Sequence, residues 1–276
     1  MTPAGRPFPS AGPFVVLLLS VCCPFGATSI PESNYREFFR FDLALALLTR
    51  PGMSRKTLIR CNELPYHVTN QVNNREHYPM DLTSVWDLFQ QVLYESCLIH
   101  GGKVHALVLM SNHYHLLMTC PESDIATVMA DFGTEFTKRL NKATGRCGHL
   151  FRGRYNWSLI HSPEYAAAAV RYVYRNPIRA GLVDGPNVLD YRFSTLPMKM
   201  GLVPMGLKLH PIDSYLLPEL PADLAEWVAI PTGKEEDELM RMGLRRARFE
   251  PGMDRHSARR RTLGQEWFTS PGSAGA

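Results

Sequence analysis

Three groups of residues in this 276-residue chain have types and spacings that could do chemistry. The first is His113-Tyr114-His115. Alternate residues of a β-strand project from one face, so both imidazoles can bind one metal ion. Such a pair also arises by chance as a plain surface feature. Its setting favours a site, because it opens the apolar run HYHLLMT, where uncompensated polar side chains would be unfavourable. The second group is Tyr172 and Asn176, four apart near the end of a predicted helix and so on one helix face. Tyr174, roughly 200° around the axis from Tyr172, cannot share that face. A half-buried packing role is the commoner fate of a helix tyrosine. The third group is His149, Phe151, Arg152, Arg154 and Tyr155 in GHLFRGRY. Arginines interleaved with aromatics suit phosphate contact and base stacking along a single strand. They also suit an ordinary β-rich surface with two arginines.

The elements that must position these groups are readable from periodicity. Tyr66 to Val72 alternates with period two and is rich in β-formers, which predicts a strand. Thr83 to His100 has apolar residues at helical spacings, with Thr83 and Ser84 as cap candidates and Gly101-Gly102 at its end. Val104 to Met110 and His113 to Thr119 read as two strands of a hairpin across Ser111-Asn112. A second amphipathic helix carries Ile125, Val128, Met129, Phe132, Phe136 and Leu140 on one face, with Gly145 past its end. Asn156 to His161 is a fourth strand. Ser162-Pro163-Glu164 then supplies a cap, a first-position proline and a first-turn acid for a third helix, which Pro177 is expected to stop after Asn176. The order strand, helix, strand, strand, helix, strand is ferredoxin-like (βαββαβ). It predicts an α+β two-layer sandwich with its helices on one face of a mainly antiparallel sheet. The additional C-terminal helix carries the tyrosine. This domain is placed at residues 53–198.

Composition sets the outer bounds. With 45% hydrophobic and 20% charged residues, a wholly disordered, collagen-like or coiled-coil chain is excluded. The net charge of +4 names no partner, but its distribution does more. From Lys138 to Arg179 nine Lys/Arg face Glu164 alone, so this stretch carries +8 and the rest of the chain −4. Such a band fits a polyanion-binding face, or a solvated basic surface. The six cysteines form no CxxC pair, which points to a reduced, cytoplasmic protein. Phe14 to Cys23 is an apolar run too short to span a bilayer, and Met53 opens a segment leading into the first strand. Residues 1–52 therefore read as a leader or an over-extended start. Residues 199–276 read as a partly helical, basic extension, with eight Arg between Arg241 and Arg261 and a disordered tail from Ser270.

The run LMSNHYHLLM, then GHLFRGRY, then RYVYRNPIRAGLV closely resembles the REP-associated tyrosine transposases, of the single-tyrosine branch of the HUH transposases. The resemblance covers roughly residues 60–195, about half the chain, and its specificity lies in the order and spacing of the motifs. It implies that His113 and His115 hold a divalent metal, Mg²⁺ or Mn²⁺, that Asn176 is a further ligand, and that Tyr172 is the nucleophile. It implies an endonuclease and strand transferase that acts on single-stranded or hairpin DNA, without a membrane. The DNA contacts would come from Lys138, Arg139, Arg152, Arg154, Tyr155, Arg175 and Arg179.

These residue types make chemical sense together. A phosphodiester is anionic and repels nucleophiles, so a cation must neutralise the charge that develops on it. Three uncharged ligands would leave that cation nearly its full double charge. A phenol, with an ordinary pKa of about 10, is easier to deprotonate than an alkyl hydroxyl and is a better leaving group. Attack would give a 5′-phosphotyrosine and a free 3′-hydroxyl, from which a second hydroxyl can rejoin the strand. Two other readings stay open at this level. One is a protein of the same fold that holds a DNA or RNA hairpin without cutting it. The other is a hydrolase acting through the histidine pair alone.

Overall fold

The computed structural model describes residues 56–249, apart from residues 213, 215–216 and 218–220. The expected leader and the arginines beyond residue 249 lie outside the described residues. Strand β1 (Tyr66–Gln71) leads to helix α1 (Leu82–His100), then to the hairpin of β2 (Lys103–Leu109) and β3 (His113–Thr119). Helix α2 (Ile125–Thr144), strand β4 (Asn156–Leu159) and helix α3 (Pro163–Arg179) follow. The sheet is antiparallel, in the order β2-β3-β1-β4. This is the expected ferredoxin-like arrangement.

The helix boundaries follow local chemistry. The cap of α1 is Asp81 rather than Thr83 or Ser84, because its carboxylate reaches the Ser84 N–H at 2.9 Å and so begins the helix at Leu82. At the other end Gly101, with φ of 69°, takes the left-handed turn that closes α1. Asp124 caps α2 by accepting from the Ala126 and Thr127 N–H groups, and Ser162 caps α3.

Period-two alternation sorts the strands' side chains into two cores. Tyr66, Val68, Tyr114, Leu116, Met118 and Trp157 face one side, where they pack with apolar residues of α1 and α2. His67, Thr69, His113, His115 and Leu117 face the other. There Leu117, Ala106 and Val108 share a second core with Ala166 to Val170 of α3. The first two helices thus lie on one face, as the strand–helix order predicts, while the tyrosine-bearing helix covers the opposite face as a third layer. Four consecutive buried alanines keep that helix close to the sheet.

Helix α3 does not stop at Asn176; it continues through Pro177 to Arg179. A proline lacks the N–H that would bond the carbonyl four residues back. Here the Asn176 side chain takes over that carbonyl. Its Nδ2 donates to Val173 O at 3.3 Å and to Tyr172 O at 2.8 Å. The second core also extends well past residue 198. A short helix α4 (Leu196–Lys199), then α5 (Pro221–Ala229) and α6 (Lys234–Gly243), bring Trp227, Met240, Leu244 and Phe249 onto α3.

Candidate active site

The β1–β3 register sets the floor of the site. Thr69 lies opposite His115 and Gln71 opposite His113, so the two imidazoles stand on the face that α3 covers. Their ring centroids are 5.1 Å apart. Tyr172 hangs over them from α3, its ring centroid 5.6 Å from that of His115 and 6.0 Å from that of His67, edge-on to both. Together with Asn156, Asn176 and Arg179 these residues line one cavity of about 530 Å³. Tyr172 is only 4% exposed, and the Arg179 guanidinium sits 4.9 Å over its ring.

Burial decides the charge state of the floor. It pushes His113 below the ordinary imidazole range and His115 well below it, the latter reinforced by His67, His113 and Arg179 nearby. His67, 2% exposed, is pushed down to about 3. The pair is therefore neutral at physiological pH, which is the ligating form of histidine. Asn176 adds an oxygen. Carbonyls only accept, so its nitrogen must face Tyr172 O and Val173 O, and its Oδ1 is the atom left for a ligand.

Among the described residues no cluster of three or more His, Cys, Asp or Glu could hold a metal ion. An ion at this point therefore needs amide oxygens or water beside the imidazoles. The donor set meets that need with His113, His115 and the Asn176 oxygen, all neutral and all lining the same cavity. These residues fit a divalent cation.

The expected DNA-contacting residues divide by location. Lys138, Arg152, Arg154 and Tyr155, with His149, line a second, larger groove of about 920 Å³ between α2 and the segment before β4. This groove lies toward the α1/α2 side of the sheet. Asn70 at the end of β1 borders both cavities. Arg179 belongs instead to the Tyr172 cavity, where it pairs with Asp237 at 3.2 Å. Arg139 is engaged by Glu95 and Glu135. Arg175 lines neither cavity. It is 4% exposed, and its guanidinium donates to Val228 O at 2.7 Å and to Ile230 O, tying α5 to α3. Charge alone could not separate that buried arginine from the exposed ones.

Sequence reasoning missed three contributors. His67 shares the face of His115 through the strand register, a relation that becomes readable only once β1 and β3 are paired. Arg241 and Arg245 line the cavity mouth from α6 and the turn after it. Their distance along the chain from the motifs gives no signal.

The site is thus a ferredoxin-like sheet with paired histidines under a helix tyrosine. Residues 60–176 match the family described as IS200-like transposases. That segment, under half of the chain, is what is similar to the IS200-like transposases. Two of the proteins it is similar to are described as REP-associated tyrosine transposases. A Haemophilus influenzae protein described by that name is 24% identical over 174 residues, covering 59% of this chain and 85% of the relative. A solved REP-associated tyrosine transposase bound to a REP hairpin is 22% identical, with a TM-score of 0.47, over 59% of this chain and 96% of that one. A Deinococcus radiodurans protein described as a transposase is 19% identical, with a TM-score of 0.31, over 42% and 90%. Among the described residues no helix is long and apolar enough to cross a membrane.

Proposed function

We propose that this protein is a metal-dependent single-strand transposase that cleaves and rejoins DNA hairpins of the REP type through Tyr172. The observation that carries this reading is the Tyr172 ring edge-on to His115 at 5.6 Å, inside the cavity that also holds His113 and Asn176. His113, His115 and the Asn176 oxygen would hold Mg²⁺ or Mn²⁺. When bound, the ion would neutralise charge on the scissile phosphate and polarise it. The chain's own residues do the rest. Arg179, Arg241 and Arg245 place positive charge around the cavity where an anionic backbone must enter. The Tyr172 oxygen forms a bond to phosphorus as the bond to the 3′-oxygen breaks, and the phenolic proton lost is matched by one taken up at that oxygen. The phosphotyrosine keeps the energy of the broken linkage, so a second hydroxyl can rejoin the strand and release Tyr172.

The basic groove supports a hairpin as substrate. Lys138, Arg152 and Arg154 offer phosphate contacts next to the half-buried Tyr155, and Asn70 links this groove to the cavity. A strand held in the groove can turn around the end of β1 and bring an unpaired phosphate to Tyr172. The REP association in the relative's name supplies the class of palindrome.

A denaturing gel with a 3′-labelled single-stranded hairpin and Mn²⁺ tests this. The wild-type protein should form a covalent adduct and Tyr172→Phe none. Equal adduct in both would refute the nucleophile. Multiple-turnover cleavage without adduct would favour a hydrolase working through the histidines alone.

A further inference from the structure

We infer that Asn112 and His67 are positioning residues that fix the tautomers of His113 and His115, so that both Nε2 lone pairs face the cavity. The inference rests on the reading of that cavity as a metal site. The chain of hydrogen bonds for His113 starts at a backbone carbonyl. Asn112 Nδ2 donates to Arg75 O at 3.0 Å, and a carbonyl can only accept, so the Asn112 oxygen is the atom turned to His113. That oxygen lies 2.7 Å from His113 Nδ1. An amide oxygen also only accepts, so Nδ1 carries the proton and Nε2 is left bare. The carbonyl that starts the chain is itself held in an uncommon direction. Asn74 and Arg75 both have left-handed backbones, with φ of 54° and 60°. Such conformations persist only where the surroundings hold them.

For His115 the partner is an imidazole. His67 Nε2 lies 3.0 Å from His115 Nδ1, with the two rings within 25° of parallel and their centroids 5.2 Å apart. One proton serves that contact. Placed on His115 Nδ1, it leaves His115 Nε2 as a lone pair, matching His113. It also puts the remaining His67 proton on His67 Nδ1. Among the described residues that atom is buried with no partner, and so is Ser158 Oγ, directly across the β1–β4 ladder from His67. A proton-bearing His67 Nδ1 that reaches the accepting hydroxyl through one water satisfies both. Ligating histidines commonly have their second nitrogen held in this way, and loss of the holding group weakens metal binding about 10- to 100-fold.

The test is ¹⁵N NMR of the histidine rings in the metal-free protein, with Mn²⁺ affinity measured beside it. In the wild type His113 and His115 should both show the Nδ1–H tautomer. Asn112→Leu should release His113, and His67→Phe should release His115, each lowering Mn²⁺ affinity about 10- to 100-fold. Asn112→Asp, which keeps an accepting oxygen, and His67→Gln, whose amide oxygen can stand in for the accepting nitrogen, should restore the tautomers. An Nε2–H tautomer at either histidine of the wild type would overturn the inference, and that spectrum decides even if a variant fails to fold. Unchanged Mn²⁺ affinity in both the Leu and Phe variants would also overturn it. The stated tautomers in a wild type that takes up no Mn²⁺ would uphold the positioning and sink the metal reading.

Discussion

The two faces of the sheet come from the same four strands but carry different kinds of residue. Toward α1 and α2, Phe89 is fully buried with its ring centroid 4.7 Å from Phe132, 5.0 Å from Tyr114 and 5.2 Å from Phe136. These close aromatic pairs are at edge-to-face angles. Toward α3 the strands present His67, Thr69, His113 and His115, and the helix answers with Tyr172, Asn176 and Arg179. Buried polar groups of this kind cost stability unless each finds a partner. The contrast teaches where the fold gets its stability and where it holds its chemistry. A β-strand can serve both ends at once because its side chains alternate.

That division can be broken by one substitution on each face. His113→Ala or His115→Ala should abolish Mn²⁺ binding and reduce adduct formation by about a thousandfold or more, since the charge on the phosphate is no longer neutralised. Hairpin affinity should stay within a few-fold, because the groove arginines are elsewhere. Cleavage that survives in either variant, or in a chelated sample, would contradict the metal role.

Phe89→Ala should do the reverse. Emptying this site should lower the unfolding free energy by about 3–5 kcal/mol, as core phenylalanine truncations do. Denaturant unfolding reads the loss, and Mn²⁺ affinity per folded molecule should not move. If His115→Ala destabilised the protein as much as Phe89→Ala, the polar face would be a structural core after all and the contrast would fail.

How much of this was legible in the sequence depends on how local each signal is. The His113–His115 pair and the Tyr172–Asn176 pair are set by strand and helix periods, so spacing alone put each on one face. The strand order followed from alternation and apolar runs for the same reason. The burial of Arg175 was not legible, because charge is visible in sequence and burial is not: it lies on the Tyr172 helix yet bonds two carbonyls of a segment more than 50 residues away. Pro177 was read as a stop because the rule assumes its orphaned carbonyl has no other donor, and the neighbouring Asn176 amide provides one. Asn112 looked like a turn residue, and it is one. Its second task appears only through its contact with Arg75, 37 residues earlier. Arg241 and Arg245 had no local signature at all, because tertiary packing of α6 brings them to the cavity.

The smallest expected effect sharpens the same comparison among the cations. Arg152→Gln and Arg154→Gln should each weaken hairpin binding modestly and reduce the slope of log affinity against log salt by about 1, the signature of one lost phosphate contact. Cleavage at saturating hairpin should be unchanged, because neither residue lines the Tyr172 cavity. Arg175→Met is the counterpart. It should leave the salt slope alone and lower the melting temperature, since it removes buried bonds to Val228 O and Ile230 O. Fluorescence anisotropy across a salt series separates the two cases. A full unit of slope lost in Arg175→Met would mean that this arginine reaches DNA, and that its burial against α5 gives way when the hairpin binds.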